Sequence, residues 1–190
     1  MQNRIEAILV ETASVHRALV AESGTIAKMA ERIVEAFRAG RALYVMGNGG
    51  SAADAQHLAG ELVGRFLMER AALPCQAFTT DTSILTAIAN DYSFDEVFTK
   101  QVQAFVREGD AVLGISTSGN AANVVQAARE ARRLGAVVLG LTGGDGGLLA
   151  DECDVILAVR ADGTPRVQEA HATIIHILCE LIEDSLFGTE

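Results

Sequence analysis

The chain reads as a doubly wound α/β fold, a parallel sheet covered by helices on both faces and preceded by two further helices. Three features carry that expectation. Short apolar runs alternate with helical patterns along the chain. The runs are nearly continuous rather than alternating, as strands buried on both faces require. Two segments, YVMGNGGSAADAQ and LGISTSGNAANVV, each pass from an apolar run through small polar residues into an alanine-rich helix. At 190 residues and 49% apolar content the chain has the size of one domain, with N-terminal helices over 1–40 and the α/β core over 41–190.

Helical periodicity opens the chain over residues 2–20 and 25–37, and Gly40 is a stop after the second stretch. Strands are expected over 42–46, 75–79, 111–115, 137–141 and 155–159. The connecting helices are expected over 51–66, in a shorter pair at 83–88 and 95–105, over 121–134 and over 166–186. Gly135 is placed to cap the helix before it. Pro74 and Pro165 fall at element starts, and no low-complexity or proline-rich linker divides the chain. In an open parallel sheet the loops at the carboxyl edge are where ligands bind, so the two related strand–loop–helix segments become the candidate site.

Composition removes several function classes. The net charge is −10 and no Lys/Arg cluster is present, which argues against a nucleic-acid footprint. An anionic ligand must then be held locally, by helix N-termini and polar side chains at contact range. Cys75, Cys153 and Cys179 are widely spaced and form no CxxC pair, so they read as buried small hydrophobes in a reducing cytosol rather than as disulfides or a thiolate zinc site. The N-terminus lacks the pattern of a signal peptide, and no apolar run reaches the length of a membrane span. A soluble, cytoplasmic protein is expected.

Ser116, Thr117 and Ser118, followed by Gly119 and Asn120, offer hydroxyls and backbone N–H groups at a helix start, which suits a phosphate. The same residue types also serve as plain helix caps. The run Gly47, Asn48, Gly49, Gly50, Ser51 is neither a dinucleotide fingerprint nor a Walker loop, so nucleotide binding is not expected. Its glycines allow close approach to a small polar ligand, as they also allow a tight turn. His57 and Glu61 stand four apart on one helix face and can converge on a proton or a metal ion. On the last helix, Ile174, Ile175, Ile177, Leu178 and Leu181 mark a core element, so His176 is expected as a buried ring with a purpose. Gln168 lies eight residues before His176, about 80° off alignment, so helical geometry favours Glu169 as the partner of His176.

Taken together, GNGGSAADAQH with Glu61, IAND at 88–91, ISTSGN, and RVQEAH followed by His176 resemble the sedoheptulose 7-phosphate isomerases, or phosphoheptose isomerases, of the SIS (sugar isomerase) fold. The resemblance runs over nearly the whole chain. It implies a cytosolic homotetramer, flavodoxin-like in its sheet. It further implies an aldose–ketose isomerase that converts sedoheptulose 7-phosphate to D-glycero-D-manno-heptose 7-phosphate for bacterial surface polysaccharide. By that resemblance Glu61 moves the proton between the first two carbons and His176 moves protons at the oxygens. One zinc per subunit maps onto His57, Glu61, Gln168 and His176. Substrate contacts map onto Asn48, Gly49, Gly50, Ser51, Glu61, Asn90, Asp91, Ser116, Thr117, Ser118 and Gln168. One departure stands out: Ala121 occupies a position where the family often has serine.

The chemistry of the residues agrees, because an aldose–ketose shift needs a carboxylate base, a second acid/base near the oxygens and stabilisation of enediolate charge, with no redox cofactor. A ligated imidazole cannot exchange protons freely, so the metal and proton-transfer roles of His176 compete. Two rivals stand beside this reading. One is an isomerase or sensor of another sugar phosphate. The other is a non-enzymatic tetrameric adaptor that binds a replication initiator protein, which the stretch TTDTSILTAIANDYSFDEVFTKQVQ also resembles. Presence of both Glu61 and His176 favours the enzyme.

Overall fold

The computed structural model describes residues 1–188, so the last two residues of the expected core lie outside it. Helix α1 (Gln2–Ala18) passes through a 3-10 turn, Leu19–Glu22, directly into α2 (Ser23–Arg38), where the sequence suggested a break. Then follow β1 (Leu43–Gly47), α3 (Gly50–Val63), β2 (Cys75–Ala77), α4 (Thr82–Asp91) and α5 (Thr99–Phe105). The chain continues with β3 (Ala111–Ser116), α6 (Ala122–Arg133), β4 (Val137–Gly143), β5 (Val155–Val159) and α7 (Thr164–Phe187).

All five strands are parallel, in the order β2-β1-β3-β4-β5. The order reverses between β1 and β3, and a doubly wound sheet opens a crevice at the carboxyl end of that switch. Alternate strand residues feed two cores. Leu43, Val45, Leu113, Ile115, Leu139 and Leu141 face α2, α3 and α7 on one side. Met46, Val112 and Val138 face α5 and α6 on the other. Central strands are therefore apolar throughout, while β5, at the sheet edge, alternates instead: Val155, Leu157 and Val159 are buried and Ile156 and Ala158 only partly so.

Local chemistry sets the element ends. The Asp81 carboxylate accepts the Ile84 N–H at 2.9 Å and caps α4. Pro165 sits in the first turn of α7, where its missing N–H costs nothing. Gly135 follows α6 with φ +82°, the left-handed geometry expected of it. Helix α3 stops at Val63, three residues before the expected end, because the chain beyond Gly64 is drawn away by Arg70. The expected helix over 95–105 is split into a 3-10 turn, Phe94–Glu96, and α5. All three cysteines are free thiols, but only Cys179 is fully buried, Cys75 and Cys153 being partly so.

Candidate active site

The loops after β1 and β3 meet at the switch point and enclose a hollow of about 330 Å³. Asn48, Gly49, Gly50 and Ser51 line one side, Ser116, Thr117, Ser118 and Ala121 the other, and Thr164 and Gln168 close it from α7. Glycine is required here for space. A Cβ at Gly47 would come within 2.7 Å of the Ser51 carbonyl and 2.9 Å of the Ile115 carbonyl, and one at Gly50 would collide with the Gln168 amide. Gly49 turns the chain into α3 with φ +57°. In the first turn of α3 the Ser51 and Ala52 N–H groups close onto the Asn48 and Gly49 carbonyls, so the N–H groups of Gly49 and Gly50 are the ones that make no hydrogen bond among the described residues and are open to an anion in the hollow.

The hydroxyls of residues 116–118 are not helix caps. Helix α6 starts later, with Ala121 at its N-cap and no side-chain cap. Ser118 Oγ accepts the Asn120 N–H at 3.2 Å, a turn inside the loop. A residue the sequence reading missed holds the two loops together: Asn123 and Asn48 exchange a reciprocal amide pair at 2.8 and 3.0 Å. Its signal was the parallel between the two loop–helix segments, each carrying an asparagine.

Beyond the hollow, α3 and α7 bring His57, Glu61 and His176 together. His57 Nε2 lies 3.2 Å from Glu61 Oε1 and 3.3 Å from His176 Nε2. Their ligand atoms all fall within 4.8 Å of one another. His176 is exposed, against the expectation of a buried ring. The buried histidine of α7 is His171, 0% exposed, whose Nε2–H donates to the Thr142 carbonyl at 3.0 Å. Burial pushes its pKa down, the hydrogen bond to Thr142 opposing, and the ring is neutral. Ile174, Ile175 and Leu178 turn to the core, and His176 stands on the opposite side of the helix.

Glu169 is not the partner of His176. It accepts from Thr12 at 3.0 Å and from Arg166, fixing α1 against α7. Asn90 and Asp91 end α4, joined by a 2.8 Å hydrogen bond, and they are exposed and outside the hollow. Asp54, one turn before His57, also went unnoticed in the sequence. Burial raises its carboxyl pKa, His57 opposing, and its Oδ2 is buried without a partner among the described residues.

The trio satisfies itself poorly with hydrogens. One Nε2–H on His57 cannot serve both the Glu61 carboxylate and the facing His176 nitrogen, whereas one cation serves all three lone pairs. Bonds of about 2.0–2.1 Å in a tetrahedron set neighbouring ligand atoms about 3.3–3.4 Å apart, close to the 3.2 and 3.3 Å that His57 Nε2 keeps from Glu61 and His176. The N, O, N donor set therefore fits a divalent metal.

The SIS domain family model matches residues 10–143, a span that holds both loops of the hollow and the His57–Glu61 face of α3. Phosphoheptose isomerase of Trichlorobacter lovleyi is 51% identical over 189 residues, covering 99% of this chain and 96% of that one. That of Pelobacter propionicus is 59% identical over 163 residues, 86% of each. The structure of the Neisseria gonorrhoeae phosphoheptose isomerase superimposes with a TM-score of 0.91 at 42% identity, covering 96% of this chain and 98% of that one. This chain belongs to the SIS domain family and, within it, to the phosphoheptose isomerases.

Proposed function

We propose that this chain interconverts sedoheptulose 7-phosphate and D-glycero-D-manno-heptose 7-phosphate, feeding heptose into surface polysaccharide. The observation that carries the reading is the meeting of the Glu61 carboxylate with two imidazoles on helices whose first turns line the hydroxyl-rich hollow. From Gly50 to His57 along α3, and from Gln168 to His176 along α7, the rise is about 10–12 Å. An extended seven-carbon chain with a terminal phosphate, built from bonds of about 1.5 Å, spans a similar length. The phosphate takes the hydroxyls of Ser116, Thr117 and Ser118 and the N–H groups around Gly49 and Gly50. The carbonyl end then lies toward Glu61 and His176.

The reaction is an internal oxidation and reduction. Glu61 removes a proton from C1 of the ketose, and the C–H electron pair becomes the C1–C2 double bond of an enediolate. The same carboxylic acid returns the proton to C2. His176 delivers a proton to the oxygen on C2 and accepts one from the oxygen on C1, so atoms balance with no redox cofactor. Glu61 meets His57 through Oε1, and its second oxygen makes no hydrogen bond among the described residues, which leaves it open to the substrate proton. Zinc, when held by His57, Glu61 and His176 with Gln168 as the fourth group, would supply a Lewis acid for the developing oxyanion in place of the proton that an unligated His176 delivers.

Assembly finds support in α1, which buries none of its residues and exposes Ile5, Leu9 and Val10. With the apolar groove of about 470 Å³ between α1, α2 and α7, this supports a homotetramer, read by light scattering. One domain over 1–190 is supported by a core that runs from Leu19 to Ile182. No helix of the described residues is long and apolar enough to cross a membrane, and a cytoplasmic location is proposed on the family resemblance. The deciding experiment is a coupled assay with sedoheptulose 7-phosphate on protein purified without chelator, repeated after metal stripping and zinc return. Turnover is expected without nucleotide. Absence of turnover in the zinc-loaded protein overturns the reading and favours the adaptor.

A further inference from the structure

Behind the cluster lies a fully buried ion pair that the reaction does not use. Arg70 and Glu183 have side chains 1% and 0% exposed and meet at 2.8 Å. Glu183 accepts the Phe66 N–H at 2.9 Å, the Leu67 N–H at 2.8 Å and the Met68 N–H at 3.0 Å besides the Arg70 Nε–H. Arg70 in turn donates to the carbonyls of Glu61 at 2.8 Å, Leu62 at 2.7 Å and Ala71 at 3.1 Å.

These bonds converge on the cluster from both helices. Glu183 stands seven residues after His176 on α7, on the same stripe of the helix. Arg70 grips the last carbonyls of α3, including that of Glu61 itself. Between them, the Phe66 backbone is tied to Glu183 and its ring stacks on His176, centroids 5.6 Å apart at 27°. His176 is exposed and bonds to no carboxylate among the described residues, and the Phe66 ring and the His57 nitrogen hold its ring in place.

We propose that Arg70 and Glu183 are positioning residues for the isomerisation, fixing the Glu61 backbone and the Phe66 shelf so that Glu61 and His176 face one reacting centre. This rests on the isomerase reading for its kinetic part. The alternative is a pair that only secures the loop between α3 and β2. A fork–carboxylate pair of this kind is geometric, and lysine in place of arginine keeps the charge while losing the fork.

The test uses the full chain as Arg70→Lys and Glu183→Gln, with kcat, KM and the NMR resonances of the His176 ring, which carry the ring current of Phe66. Outer partners of this kind change activity about 10–100-fold. The expected result is a fall in kcat of at least about 10-fold, KM within about 2-fold, and shifted His176 resonances in protein that is still folded. Removing one partner leaves an unpaired buried charge and can prevent folding, so the charge-free double variant Arg70→Met with Glu183→Leu is measured alongside. A folded double variant with low kcat and displaced His176 resonances supports positioning. Parental kcat and resonances, in a single variant or in the double, overturn it, whatever the melting temperature does. The NMR arm needs no substrate, so a parent that fails to turn over the heptose phosphate sinks the functional reading and leaves positioning tested.

Discussion

The two ends of the candidate site are built on opposite plans. At the switch point the hollow is made of backbone: glycine turns, N–H groups of a helix start and short hydroxyls, all from two contiguous loop segments and the first turns of α7. At the far end the cluster is made of long side chains from two helices, with His57 and Glu61 more than 110 residues from His176. Backbone donors cannot be tuned by side-chain replacement but tolerate no added bulk. Side-chain donors tolerate replacement structurally and lose chemistry at once. The difference teaches that binding and proton transfer can be separated by mutation.

The largest effects should fall on the cluster. Glu61→Gln removes the base and should lower kcat by about 10³-fold or more with KM nearly unchanged, and His176→Asn should lower it by about 10²-fold, both read by steady-state kinetics. Because His176 is exposed, its replacement should move folding stability by no more than about 0.5 kcal/mol, checked by denaturant unfolding. A large stability loss with intact kcat would erase the division between the two ends.

Bulk at the cradle should act the other way. Gly47→Ala forces a methyl against two backbone carbonyls, and a cost of about 1–3 kcal/mol in stability, with weakened substrate binding, is expected from unfolding curves and KM.

Acid should find the frame behind the cluster before the cradle. Burial pushes the Glu183 carboxyl up, but the N–H groups of Phe66, Leu67 and Met68 and the Arg70 side chain outweigh it, so its pKa lies below the ordinary 4.5. The protonated carboxyl loses those bonds. Its contribution is therefore complete above about 4.5, the unfolded value, and is lost as pH falls through the lower folded value. Unfolding measured from pH 6 down to about 3 should show that loss in the parent and a flatter profile in Glu183→Gln.

The smallest effect belongs to Ala121, which lines the hollow at the position where the family resemblance leads one to expect serine. Ala121→Ser adds one donor facing the phosphate and should lower KM about 2- to 5-fold with kcat unchanged. An unchanged KM would place the phosphate elsewhere in the hollow.

Sequence by itself determined what short-range rules govern. Apolar runs such as 155–159 became strands, glycines at 47–50 and 135 marked turns, and the His57–Glu61 spacing put both groups on one helix face, since each depends on residues within a turn or two. Motif resemblance carried the chemistry assigned to these positions. The tertiary structure decided which distant groups meet. Helical spacing alone favoured Glu169 for His176, yet α1 captures Glu169 through Thr12 while α3 presents His57 and Glu61 instead. The same packing decided that His171 is buried and His176 exposed, because a helix pattern gives a face its polarity but not the neighbour that covers it. The Asn48–Asn123 amide pair and the Arg70–Glu183 frame join segments 75 and 113 residues apart. Such pairings carry no local periodicity, and only the packing of helices on a twisted sheet brings them within hydrogen-bonding distance.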